Sequence, residues 1–180
     1  KYLRYAMSDE EMIKAVEEEL GKETADTVLP AFLAKFPDKK PLDILQYDAR
    51  SAFRKAVKDI CARRVADNCA PTYQYLFTPT FGINEGSMPQ HNSDISFWFH
   101  NTDKVPSNDF GDGTSVLEAS MSGRLLAFAH TGIPDKDGLI HWPSQSSELK
   151  PTLVFDQNER VEYSIDDDFL PELMKCSDYR

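Results

Sequence analysis

Apolar residues recur at helical spacing near the start of the chain. Ser8 and Glu11 form a capping box ahead of them, and Gly21 is a favourable helix stop. The apolar positions between these signals are Met12, Ile13, Val16 and Leu20. Residues 23–36 continue the periodicity, and we expect Pro30 to kink or restart this second helix because proline removes a main-chain donor.

A third helical pattern extends from Pro41 to about Asp67, and we expect it to break near residues 47–51. Its apolar line consists of Leu42, Leu45, Phe53, Val57 and Ile60. The apolar faces of these early helices need a surface to cover.

The spacing of the apolar residues then changes. Residues 72–78 are aromatic and rich in β-formers between two prolines, which predicts a strand. Residues 80–92 and 105–114 predict loops, and residues 93–99 a short helix or turn. Residues 115–132 predict a long helix, with a capping box at Ser115 and Glu118 and a stop at Gly132. Residues 152–165 predict a hairpin that turns at 156–159, and residues 166–176 a final short helix.

Length and composition narrow the possible domain organisation and the classes of partner that the chain could bind. The 180 residues suggest one domain or a large piece of one, and the formal charge of −10 disfavours binding to nucleic acid or anionic lipid. No apolar run is long enough to predict a membrane span. The cysteines Cys61, Cys69 and Cys176 have no zinc-site spacing, so we expect free thiols, with a Cys61–Cys69 disulfide as the alternative. We predict no metal site.

His91 is the candidate for acid–base chemistry. It closely follows the predicted strand, and open α/β sheets place functional groups beyond the carboxyl ends of their strands. Asp94 and a run of aromatic residues follow it, so the loop is tied to an apolar anchor that could hold a general base still. The aromatic residues Phe97, Trp98 and Phe99 are expected to be core rather than a substrate pocket.

The stretch HNSDISFWFHN at residues 91–101 resembles the histidine motif of the type-B carboxylesterases, the cholinesterase-like branch of the α/β-hydrolases. That motif reads His-Gly-x-Glu/Asp, an aliphatic residue, then an aromatic run ending in Phe-Gly-Asn. YQYLFT at 73–78 resembles the strand before that histidine, and LLAFAHTGIPD at 125–135 resembles the family's Phe-Ala-x-Thr-Gly-x-Pro helix end. HWP at 141–143 and TLVFDQNERVE at 152–162 resemble its Trp-Pro and its late hairpin. The early helices also fit the family.

Three positions depart from the family pattern. Asn92 replaces a glycine, Ser96 a usual proline and His100 a second glycine. Asparagine tolerates left-handed backbone better than most residues, so the change at Asn92 is mild. His100 is the larger change at the floor of the expected site.

The resemblance implies an α/β fold, with residues 1–180 as the C-terminal segment of a hydrolase domain: helix-rich, with one or more central strands and a late hairpin. His91 would be the base of a serine–histidine–acid triad, and Asp94 would fix its loop through backbone hydrogen bonds. No G-x-S-x-G nucleophile elbow occurs in the sequence, and SDEEM at 8–12 reads as helix capping rather than as the triad acid. The serine and the Asp/Glu are therefore expected on an N-terminal part ahead of Lys1, which makes this chain a proteolytic or truncated piece.

The implied reaction is hydrolysis of a small-molecule carboxylic ester without a cofactor, and the chain alone should be inactive. Residues 80–90, including Phe81 and Gly82, are the candidates for substrate contact because they lead into His91. Two other functions stay open: a non-catalytic cholinesterase-like module for binding or adhesion, and a helical dimerisation surface. The sequence leaves a cytoplasmic and a secreted location equally open.

Overall fold

The computed structural model describes residues 6–47, 53–83 and 86–176. The chain forms two compact units. The helical unit comprises Lys1–Ile60, Asn84–Met88 and Ser164–Arg180, and the sheet unit comprises Cys61–Ile83 and Pro89–Tyr163.

The α-helices of the described residues are α1 (Asp9–Leu20), α2 (Lys22–Lys35), α3 (Phe53–Ala66), α4 (Ile95–Trp98), α5 (Gly113–Thr131) and α6 (Leu170–Leu173). Short 3-10 helices cover Pro41–Leu45, Thr102–Lys104, Pro106–Asn108 and Met174–Cys176. The strands are β1 (Tyr75–Phe77), β2 (Pro151–Phe155) and β3 (Arg160–Tyr163).

The start of α1 confirms the predicted capping box. The Ser8 hydroxyl accepts a hydrogen bond from the Glu11 N–H at 3.3 Å, and the Glu11 carboxylate accepts one from the Ser8 N–H at 2.9 Å. These bonds satisfy donors that a helix start otherwise leaves free. SDEEM is therefore a helix cap.

Helix α2 continues through Pro30, so the predicted restart is wrong. Proline within a helix costs about 3 kcal/mol. Leu29 and Phe32 are buried on either side of it, and their packing holds both turns of the helix in place. The rings that complete this core are Phe32, Phe36, Tyr47 and Phe169, with contacting centroids 5.2–5.8 Å apart.

Helix α3 turns charged side chains inward. The fully buried carboxylate of Asp166 accepts hydrogen bonds from Arg54 and Lys58, whose ion-pair distances are 2.7 and 2.6 Å. Burial, together with the nearby Asp166 charge, raises the pKa of Tyr47, whose hydroxyl donates to the same carboxylate. The apolar residues Phe53, Val57 and Ile60 consequently face outward, 65%, 41% and 59% exposed. Most of the predicted break before α3 lies at residues 48–52, outside the described residues.

The sheet has the order β1-β2-β3, with β1 parallel to β2 and β2 antiparallel to β3. Tyr75 lies opposite Leu153, and Pro151 opposite Tyr163. This confirms the strand predicted within 72–78 and the late hairpin. The core of the unit consists of Phe81, Phe97, Leu117, Met121, Trp142, Leu153 and Phe155.

Helix α5 ends at Gly132 in left-handed conformation, as predicted, but its predicted capping box is wrong. The helix begins at Gly113, which places Ser115 inside its first turn. The Glu118 carboxylate instead accepts a hydrogen bond from the Thr102 N–H at 2.7 Å. No disulfide joins Cys61 and Cys69, so the alternative pairing is not formed.

Candidate active site

His91 lies in a turn between β1 and α4. Strand β1 ends at Phe77, an irregular segment follows, and residues 91–94 turn the chain into α4. The imidazole is exposed, and no hydrogen bond or ion pair joins it to another described residue. The ring is therefore not committed to a structural contact in this part of the chain.

The backbone around His91 has the conformation that glycine favours at both positions where the family motif has glycine. Asn92 has φ 70° and His100 has φ 53°. Left-handed backbone is uncommon for residues with a side chain, but asparagine and histidine adopt it more readily than most. The shape of the motif is thus kept although its glycines are replaced.

Asp94 connects the histidine turn to the sheet. Its Oδ2 accepts hydrogen bonds from the Tyr75 hydroxyl at 2.7 Å and from the Trp98 indole N–H at 3.3 Å. Burial, with the Asp94 carboxylate beside it, raises the pKa of Tyr75, so the phenol stays protonated and donates. We expected backbone contacts from this side chain; its partners are instead side chains on β1 and α4.

Ser96 and Asn108 provide a second connection, which sequence reasoning missed. The Asn108 side-chain amide donates to the Ser93 carbonyl at 2.8 Å and to the Ser96 hydroxyl at 2.9 Å. Asn108 comes from the loop before α5 and is buried. Only the tertiary structure brings it to the histidine turn, because nothing in its local sequence distinguishes it from other loop asparagines.

The two residues predicted to contact substrate lie in different surroundings. Phe81 is only 2% exposed, and its ring packs against those of Phe77 and Phe97. A buried ring offers a substrate little surface, whereas Gly82 is exposed. Of the three aromatic residues expected to be core, Phe97 is fully buried, Trp98 is half-buried and Phe99 is 69% exposed.

The other histidines are surface residues with local contacts or none. His141 bonds through Nδ1 to the Asp135 carboxylate, a pair that we did not predict, and His100 lies 3.5 Å from Glu118. His130 is exposed near the end of α5. Residues 6–47, 53–83 and 86–176 contain no group of histidine, cysteine and acidic side chains able to hold a metal. Within the same ranges no helix has the length and apolar character to cross a bilayer.

Comparison with known proteins gives matches among solved structures. No protein-family model matches the sequence, and the search of curated proteins finds no significant match. An esterase from anaerobic Clostridium hathewayi that can hydrolyse aliphatic aromatic polyesters is 28% identical, with a TM-score of 0.84 over 94% of this chain. The chain has the fold of a C-terminal segment of an α/β-hydrolase.

More distant esterases share the same fold. A PNB esterase matches 93% of the chain at 20% identity, and a carboxylesterase of Geobacillus stearothermophilus matches 94% at 20% identity, both with TM-scores of 0.61. The chain spans only 33–36% of the length of these three structures. That coverage agrees with the predicted C-terminal segment.

Proposed function

We propose that this chain supplies the catalytic histidine of a serine carboxylesterase. One observation carries the proposal: His91 is an exposed imidazole that lies beyond the carboxyl end of β1 and has no hydrogen bond or ion pair among the described residues, in a fold whose structural neighbours are esterases. His91 takes the proton of a serine hydroxyl as the serine attacks the ester carbonyl, and it returns that proton to the leaving alcohol. The acyl-serine intermediate is then hydrolysed by water through the same proton transfers.

The serine and the triad carboxylate belong to the complementing part, by which we mean an N-terminal part of the same enzyme. Residues 1–180 form the C-terminal part of that domain, and their sequence contains no nucleophile elbow. The substrate is a small-molecule ester that reaches His91 past Gly82. No cofactor takes part in this mechanism. The chain alone is therefore inactive.

Asp94 acts as a positioning residue. Its carboxylate is bonded to Tyr75 and Trp98, so it is occupied with holding the turn. A base must keep its geometry within a fraction of an ångström to be effective, and the bond between Asp94 and β1 supports that requirement.

The test is hydrolysis of p-nitrophenyl butyrate by the chain, first alone and then together with the polypeptide encoded directly ahead of Lys1. We expect turnover only with both present. His91→Asn should lower kcat by about three to four orders of magnitude with little change in KM, because it removes chemistry and not binding.

Matched controls are His130→Asn and His141→Asn, which change exposed histidines elsewhere in the sheet unit. Each should alter kcat less than about threefold. Turnover by the chain alone that disappears in His91→Ala would contradict the proposal. So would a complete enzyme in which His91→Asn keeps more than about a tenth of the wild-type kcat.

A further inference from the structure

The position of the His91 imidazole depends on the backbone that carries it. The ring is exposed, and within residues 6–47, 53–83 and 86–176 no hydrogen bond or ion pair holds it. A displacement of a catalytic group by about 1 Å can cost about a hundredfold in rate. The geometry of this base is therefore set by the contacts that fix residues 91–94.

The loop before α5 meets the histidine turn with a buried amide. Asn108 is 7% exposed, and its side-chain nitrogen donates to the Ser93 carbonyl at 2.8 Å and to the Ser96 hydroxyl at 2.9 Å. An amide nitrogen carries two N–H donors, so these two bonds use both. One bond holds the turn two residues after His91, and the other holds the first turn of α4.

Asn108 is itself held in place by its neighbours. Its main-chain N–H bonds to the Val105 carbonyl at 2.9 Å within a 3-10 turn, and the ring of Pro106 restricts the backbone of that turn. Two residues after Asn108, Phe110 stacks on Phe97 of α4, with ring centroids 6.1 Å apart and 15° between the ring planes. The loop is thus attached to α4 by a polar and an apolar contact, which makes the amide a fixed anchor.

Ser96 stands where the type-B carboxylesterases usually have proline. A proline in the first turn of a helix fixes φ through its ring and gives up an N–H that the helix does not use. Serine lacks that constraint, but its hydroxyl, in a residue only 5% exposed, gives the Asn108 amide a partner that proline does not have. The hydrogen bond therefore occurs where the constraint of the ring is missing.

We propose that Asn108 is a positioning residue for His91, and that its bonds to Ser93 and Ser96 hold the histidine turn in place of a proline ring. This rests on the proposed function, which makes His91 the base. Asn108 is buried and acts on the base only through the backbone of residues 93–96. Its loss should therefore lower kcat and leave KM nearly unchanged, because it displaces the base and removes no contact with the substrate.

The experiment measures kcat and KM for p-nitrophenyl butyrate with the complete enzyme, which is this chain together with the complementing part. Asn108→Ala should lower kcat at least about tenfold, with KM within about twofold of the wild-type value. Adding Ser96→Pro to that variant should raise kcat again by at least about threefold, because the ring restricts the first turn of α4. Ser96→Ala removes one of the two bonds and should lower kcat by about twofold to fourfold.

Thr114→Val is the matched control. The buried Thr114 hydroxyl accepts a hydrogen bond from the Phe110 N–H and donates one to the Asp109 carboxylate, both at 2.9 Å, and neither bond reaches the histidine turn. This variant should lower the unfolding midpoint about as much as Asn108→Ala and change kcat less than about twofold. Asn158→Ala, at an exposed asparagine between β2 and β3, should change neither quantity.

An equal fall of kcat in Asn108→Ala and Thr114→Val would show a general loss of stability and overturn the positioning role. So would a rise in KM that exceeds the fall in kcat, or no recovery when Ser96→Pro is added. If Asn108→Ala does not assemble into an enzyme, Ser96→Ala decides the question, and an unchanged kcat in that variant overturns the inference.

Two further outcomes separate this inference from the proposed function. His91-dependent turnover that Asn108→Ala leaves unchanged would contradict the positioning role alone. Turnover that His91→Asn leaves unchanged would contradict the proposed function. In that case amide hydrogen exchange in residues 91–94 still tests the anchor: faster exchange in Asn108→Ala supports it, and unchanged exchange overturns it.

Discussion

The helical unit pairs its buried charges internally, whereas the sheet unit leaves a strand edge and an aromatic cavity open. In the helical unit, the Asp166 carboxylate is fully buried and is met by Arg54 and Lys58. In the sheet unit, the main-chain groups of Tyr75 and Phe77 that point away from β2 meet no strand among the described residues, and exposed rings lie next to them around an apolar cavity. His91 belongs to the sheet unit, so the candidate site lies in the same unit as the strand edge and the aromatic cavity.

The difference follows from how the two kinds of element form hydrogen bonds. A helix satisfies most of its main-chain groups within itself and leaves only its ends to be capped. A strand needs neighbours on both edges, and the part of the chain that the structure describes has strands on one side of β1 alone. A short stretch of helices can therefore form a compact unit without leaving main-chain groups unpaired, whereas a strand at the edge of a sheet cannot.

The largest expected effect comes from breaking the buried ion group of the helical unit. Asp166→Ala leaves two partly buried cations without their shared carboxylate and should lower the free energy of unfolding by about 3–5 kcal/mol. Denaturant unfolding measures this. Asp59→Ala, which breaks an exposed pair with Lys55, should cost less than about 1 kcal/mol. Equal losses in the two variants would show that burial does not set the value of these charges.

The backbone of the histidine turn gives the next effect. Asn92 has a left-handed backbone, which a β-branched side chain adopts poorly. Asn92→Val should lower the free energy of unfolding by about 1–2 kcal/mol, whereas Asn92→Gly should change it by less than about 0.5 kcal/mol. Thermal or denaturant unfolding distinguishes the two, and equal stability of both variants would argue against the observed turn.

The bond between Asp94 and β1 should contribute somewhat less. Tyr75→Phe removes the hydroxyl that donates to Asp94 at 2.7 Å and should lower the free energy of unfolding by about 1 kcal/mol. Faster amide exchange in residues 91–94 should accompany that loss. Tyr163→Phe, at a half-exposed ring on β3, is the matched control and should have no measurable effect. A variant with unchanged exchange in the turn would remove Asp94 as its anchor.

The two capping boxes predicted from sequence give the smallest contrast. Ser8→Ala should cost about 1 kcal/mol because the hydroxyl caps α1. Ser115→Ala should cost less than about 0.5 kcal/mol, since Ser115 lies inside α5 and is exposed. Unfolding midpoints of the two variants, measured side by side, decide this, and a larger loss at Ser115 would reverse the assignment.

These two serines also show where sequence reasoning succeeds and where it fails. Both begin a Ser-x-x-Glu pattern before apolar residues, and both predicted a cap. At Ser8 the local pattern decides the structure. At Ser115 the chain enters the helix two residues earlier, and Glu118 bonds to Thr102 instead. Local patterns hold until a residue distant in sequence supplies a better partner.

The sequence by itself determined most of the local elements and the left-handed tolerance at Asn92, because each depends on residues a few positions apart. The role of His91 stays a prediction. Only the tertiary structure decided which partners Asp94 and Ser96 have, that α3 turns its charges inward, and that Phe81 is buried while Phe99 is exposed. It also decided that no strand within residues 6–47, 53–83 and 86–176 covers the second edge of β1. These features depend on contacts between residues far apart along the chain, and the energy of burying a charge or a ring is set by what surrounds it in space.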